Sequence, residues 1–158
     1  MIHALRTIAN DGSVKNADTE LSAEAAQLLF SYARAVDDGD FDALAELVAR
    51  DVVLHSPGGV HQGRDEFIEV YRSVRASRPG GSQHLIANVQ ACREGNGVIR
   101  SAAYFNAVIF GNEDASLVCG RYDDLLRAES GRLTFLRKSN QIDCIVQLGS
   151  VSKSFLAS

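Results

Sequence analysis

Pro79-Gly80-Gly81-Ser82-Gln83-His84-Leu85-Ile86-Ala87-Asn88-Val89 divides the chain into two kinds of sequence. The proline and the paired glycines cannot continue a helix, and the residues after them alternate with a period near two instead of 3.6. Upstream, the apolar residues recur at helical spacing. Ser22 is placed to cap a helix, Glu24 sits in its first turn, and Gly39 supplies the stop. Leu28, Tyr32 and Val36, with Leu29 and Ala33 beside them, give that helix one apolar face. Asp40 opens a second, short helix whose buried stripe is Phe41, Leu44, Leu47 and Val48, ending near Arg50. The run 51–55 reads as a short strand, Ser56-Pro57-Gly58-Gly59 as a turn, and 63–76 as a third helix carrying Phe67, Ile68, Tyr71 and Val74.

Downstream lie four strand-like runs, 82–93, 98–110, 115–128 and 132–147, joined by short turns rich in Gly, Asn and Asp. Such turns link antiparallel neighbours, so the second half is a meander and the whole is an α+β domain. The expected organisation is a loose polar arm over 1–20, one domain over 21–147, and a tail over 148–158.

The 158 residues suffice for one core and a modest cavity. With a net charge of −4 and no cluster of Lys and Arg to track a phosphate backbone, neither nucleic acid nor an anionic membrane is the expected partner. Cys92, Cys119 and Cys144 are odd in number, widely spaced and set in apolar runs. They read as small buried hydrophobes in a reducing compartment, and a zinc site would want the close pairs that are missing. No signal peptide or membrane span is legible, so the expected location is the cytoplasm. No nucleotide, flavin or hydrolase motif is present, and no cofactor or metal is expected.

Both parities of the strands contain apolar residues. One parity of the first run gives Leu85, Ala87, Val89 and Ala91; the other gives His84, Ile86, Asn88 and Gln90. In the second run Ile99, Ala103, Phe105, Ala107 and Ile109 share one face, and Arg100, Tyr104, Asn106 and Val108 the other. Three helices cover only one side of such a sheet, so the outer face is expected to meet a second copy in a homodimer.

Four stretches carry a family resemblance: Tyr32 through Asp37 and Asp40 to Leu44; Gly63-Arg64-Asp65 opening the third helix; Ser82 through His84 to Asn88; and Gly120-Arg121-Tyr122-Asp123 running to Gly131. Spanning roughly residues 22 to 146, this layout resembles the nuclear-transport-factor-2-like superfamily. Within it the layout is most similar to SnoaL-like proteins, a group also similar to scytalone dehydratase and to the small subunits of ring-hydroxylating dioxygenases. The resemblance implies a cone in which three helices pack on a strongly curved, mostly antiparallel sheet around a cavity. It also implies a catalytic pair, Asp37 at the end of the first helix and His84 at the start of the first long strand. The second histidine and the asparagine of the dehydratase fall near Val108 and Tyr122 and are not kept, and Leu133 stands where a tryptophan is usual.

A carboxylate bonded to one imidazole nitrogen fixes the tautomer and leaves the other nitrogen ready to exchange a proton. The competing reading makes Asp37 a helix-end partner and His84 a satisfied polar core residue. Tyr32, Tyr104, Asn106 and Tyr122 are assigned to the pocket with His84, and Val36, Ile86 and Val108 to its neutral walls. Tyr32 has an alternative as a plain core aromatic. His55 and His61 read as solvent-exposed loop histidines, His55 being the one at the expected rim and the one counted among the substrate-binding residues. The resulting expectation is a cofactor-independent lyase or isomerase, a cyclase or dehydratase, acting on a small hydrophobic oxygenated molecule of polyketide type. The alternative is a non-catalytic dimeric binding protein, or an accessory subunit of an oxygenase.

Overall fold

The computed structural model describes residues 16–78, 80–129 and 131–150, and the expected arm and tail fall largely outside them. Helix α1 spans Thr19–Asp38, α2 Phe41–Glu46 and α3 Arg64–Ser77; the strands are β1 Val48–Ser56, β2 Gly59–Gln62, β3 Ser82–Gly95, β4 Val98–Phe110, β5 Asp114–Glu129 and β6 Arg132–Ser150. They form one unclosed sheet in the order β2-β1-β6-β5-β4-β3. Only β1 and β6 run parallel. The α+β cone is the architecture expected.

Local chemistry explains the boundaries. Asp18, not Ser22, caps α1, its Oδ1 accepting from the Leu21 N–H at 3.0 Å. Ser22 is used differently: its hydroxyl donates to the Asp18 carbonyl at 2.6 Å and accepts from the Ala91 N–H at 2.9 Å, pinning the helix start to β3. Gly39 ends α1 in the left-handed region, φ 69°. Helix α2 stops at Glu46, short of the expected Arg50, because Val48 already pairs with Phe135 of β6. The expected strand therefore begins three residues early.

Sheet curvature comes from register shifts in three of the five strand pairings. The shift between Ala87 and Gln90, with Asn88 at φ 54°, decides which residues face inward. Before it His84 and Ile86 face the helices; after it Ala91 does, and is fully buried. This is why both parities of β3 read as apolar. On the concave side the core joins Leu29 and Tyr32 of α1 to Phe67 of α3 and to Ala103, Phe105, Tyr122, Leu126 and Phe135 of the sheet. Gly120 is required there, since a Cβ would come within 2.6 Å of the Phe105 ring. On the other side Leu85 is 65% exposed and Tyr104 54%. Among the described residues no helix is long and apolar enough to cross a membrane.

Candidate active site

The helices and the concave sheet face line an open-mouthed cavity of about 730 Å³. That volume lies within the usual range for small-molecule sites. Its walls include Tyr32, Val36, Phe105, Ala107, Val118 and Tyr122, and His84 is among them.

Asp37 and His84 meet because α1 ends where β3 begins. His84 Nδ1 lies 2.6 Å from Asp37 Oδ1, and the His84 backbone N–H donates to Asp37 Oδ2 at 2.8 Å. The Ser82 hydroxyl donates to Oδ1 at 2.7 Å. The His84 and Asp37 side chains are only 11% and 17% exposed, so the ring is largely shielded from bulk water at the cavity wall. Behind them Arg75 Nη1 donates to the Asp37 carbonyl at 3.0 Å and fixes the helix end.

Burial alone would raise the Asp37 carboxyl, but the hydrogen bonds from the His84 ring, the His84 N–H and Ser82 outweigh it and hold the group below its ordinary 3.8. The unfolded chain therefore binds this proton more tightly than the native one. Asp37 contributes stability above the ordinary carboxylate range, and the contribution is lost as pH falls through 3.8 toward the lower native value. Urea midpoints taken at about pH 6 and about pH 3 should fall further for the native sequence than for Asp37→Asn. Equal drops would show that the carboxylate is not held in this way.

A second polar group faces the same cavity. Tyr32 and Tyr71 share a hydrogen bond of 2.7 Å, and Asn140 Nδ2 donates to the Tyr71 oxygen at 3.1 Å. Burial raises Tyr32 well above 10 and pushes Tyr71 up to about 12, so both stay protonated. Two hydroxyls joined by one hydrogen bond leave one phenolic proton over, and the Tyr122 hydroxyl beside Tyr32 is the third phenol of the cluster.

Beneath this floor lies a buried ion pair. Lys138 Nζ contacts both carboxylate oxygens of Asp124 at 3.2 and 3.0 Å, and the Ser139 N–H donates to Oδ1 at 2.9 Å. The ammonium stands 3.1 Å from the centre of the Tyr122 ring. Loss of water raises Asp124 and lowers Lys138 to about 8, and the mutual attraction opposes both shifts.

Of the residues expected at the site, Asp37, His84, Tyr32, Val36 and Tyr122 come together at or around the cavity. Ile86 shares the face of His84 but packs into the core instead of lining the space. Tyr104, Asn106 and Val108 are on the outer face: His84 pairs with Ala107, so the inward parity of β4 is that of Phe105, Ala107 and Ile109. His55 is corrected for the same reason. It alternates with buried Leu54 and points outward, whereas His61, the partner of Leu54, lines the rim.

Tyr71, Asn140 and the Asp124–Lys138 pair are site features that the sequence reading misses. A signal for the last is present. Asp123-Asp124 and Arg137-Lys138 are tandem charges in neighbouring strands, and at a period of two one of each tandem must face inward.

A family profile described as a SnoaL-like domain matches residues 17–138. A search of curated proteins finds no relative that matches the chain in sequence. Among solved structures, a scytalone dehydratase-like protein from Novosphingobium aromaticivorans superposes with a TM-score of 0.73 at 15% identity, over 88% of this chain and 95% of that one. The hexachlorocyclohexane dehydrochlorinase LinA-type3 from Novosphingobium barchaimii LL02 gives 0.74 at 14% identity, over 86% and 99%. An aromatic ring hydroxylase-like protein from Novosphingobium aromaticivorans gives 0.74 at 21% identity, over 82% and 94%. At these identities the likeness is one of fold.

Proposed function

The chain belongs to the SnoaL-like domain family, and on that premise we propose that it is a cofactor-independent acid–base enzyme of the lyase or isomerase type. Its substrate is a small hydrophobic molecule bearing a carbonyl or hydroxyl oxygen, of the polyketide-like class. The observation that carries this reading is the 2.6 Å contact between His84 Nδ1 and Asp37 Oδ1 at the wall of the cavity. With Nδ1–H held by the carboxylate, Nε2 is the nitrogen left with a lone pair. It removes a proton from a carbon next to the substrate carbonyl, the electron pair moves onto the carbonyl oxygen, and the spare phenolic proton of the Tyr32–Tyr71 pair stabilises the oxygen's new charge. The imidazolium then returns the proton to another carbon, which completes an isomerisation, or to a departing hydroxyl, which completes a dehydration. The surrounding apolar walls keep water out and strengthen both contacts. A purely scaffolding role is the weaker reading, because a scaffold has no use for an open space lined by a braced imidazole.

Cys144 is exposed and Cys92 and Cys119 are half-buried, against the expectation that all three are buried, but all three are free thiols, which supports placing the protein in the reducing cytoplasm. The exposed Leu85 and Tyr104 support a homodimer through the outer sheet face. The catalytic reading is tested with 2-tetralone, a bicyclic ketone with acidic protons beside its carbonyl. In deuterated buffer the protein should speed the exchange of those protons, monitored by proton NMR, well beyond matched buffer. Exchange at the buffer rate counts against the reading.

A further inference from the structure

The rim of the cavity is electrically lopsided. Helix α3 runs along it, with Glu66 and Glu69 toward one end and Arg75 and Arg78 toward the other, beside Ser82 and His84. The acidic end is already engaged. Glu66 accepts from the Gln62 N–H at 2.9 Å, and Glu69 lies 4.0 Å from Arg72. The basic end is not: among the described residues neither Arg75 nor Arg78 has a carboxylate within ion-pair distance, although the sheet pairs Arg100, Arg121 and Arg137 with aspartates.

Arg75 is also held in place. Its guanidinium passes between Gly39 and Gly81, both at positive φ, where a Cβ would come within 3.6 Å of Nε and 3.0 Å of Nη1. One donor is spent on the Asp37 carbonyl at 3.0 Å, out of the five that a guanidinium carries. A fixed, half-buried cation with donors to spare, joined three residues later by a second one at the mouth, is an arrangement suited to an oxyanion.

We propose that the substrate is a carboxylic acid, its carboxylate held by Arg75 and Arg78 at the rim while its ring enters the cavity toward His84. This rests on the catalytic reading of the cavity and adds the substrate's charge and orientation. The charge gradient along α3 admits the molecule one way round, because the opposite pose sets the carboxylate against Glu66 and Glu69. Two guanidiniums and two glutamates along one side of the rim favour a singly charged group over a phosphate dianion.

The test is calorimetric titration of the full chain with 2-naphthoate, its neutral methyl ester and 2-naphthyl phosphate. The naphthoate should bind about tenfold more tightly than the ester, and the preference should shrink as salt is added. Arg78→Gln, at an exposed side chain with no ion pair to maintain among the described residues, should weaken the naphthoate about fivefold and leave the ester unchanged. Arg75→Lys, which keeps the charge but loses the fork, should weaken the naphthoate as well. The proposal is overturned if the ester matches the naphthoate, if Arg78→Gln weakens both alike, if neither occupies the cavity, or if the naphthyl phosphate binds more tightly than the naphthoate. His84→Gln separates this outcome from the catalytic one. If it keeps the preference for naphthoate while proton exchange never exceeded buffer, the anion site stands and the acid–base role falls.

Discussion

His84→Gln should slow the exchange of the 2-tetralone protons by about 100- to 10,000-fold, the ordinary worth of a positioned general base. Glutamine fills most of the same volume and can still hydrogen-bond, but its amide cannot take a proton at neutral pH. The substitution therefore removes the chemistry and keeps the packing against Phe105, whose ring centre lies 6.3 Å from that of the imidazole. Affinity for the naphthyl probes and the thermal midpoint should change little. A variant that exchanges as fast as the native chain would show that His84 is a satisfied wall residue.

Asp37→Asn acts on the same reaction through geometry. The carboxylate accepts from three donors: the ring, the backbone N–H of His84 and the hydroxyl of Ser82. An asparagine offers one oxygen in place of two, so its NH₂ must face either the backbone N–H or the imidazole. In the first case two donors collide. In the second the amide donates to Nδ1 and moves the ring proton to Nε2, where no base is left. Either way the exchange rate should fall, and nitrogen NMR of the imidazole should report a changed tautomer in the second case and a disturbed hydrogen bond at Nδ1 in the first. A role confined to closing the helix end would leave that spectrum unmoved.

How much of this is readable without coordinates depends on the kind of signal. The pairing of 37 with 84 is what the family resemblance implies; what the local sequence adds is their place at two punctuation marks, a glycine stop and a proline–glycine break, which few other residues can make. The inward face of β4 has no such mark. Its parity has to be carried over from β3, and alternation is a reliable guide only until a bulge adds a residue. Asn88 adds one, at a position that looks like any other polar strand residue. Tyr71 and Asn140 are hidden differently. They lie 69 residues apart, on α3 and β6, and become neighbours only when β6 crosses between β1 and β5. No local pattern records that crossing.

The largest expected effect on stability lies in the β5–β6 hairpin. Asp124→Ala should destabilise the protein by about 3–5 kcal/mol, because it leaves the Lys138 ammonium buried without a counter-charge. Both side chains are fully buried, and the carboxylate accepts three hydrogen bonds, two from the Lys138 ammonium and one from the Ser139 N–H. Small domains have only about 5–15 kcal/mol in total, so the single variant should unfold at far lower urea, or fail to fold at 37 °C. Removing both charges is a different matter. Asp124→Leu with Lys138→Met keeps the volume and needs no desolvated ion, and it should recover most of the loss. Urea midpoints for the two singles and the double decide between two accounts of the pair. If the double is as unstable as the single, the ion pair itself holds β5 and β6 together beneath Tyr122. If the double recovers, the charges serve something other than stability. The ammonium 3.1 Å from the centre of the Tyr122 ring then fixes an aromatic wall of the cavity, and the double variant should fold well but bind the naphthyl probes more weakly than the native chain.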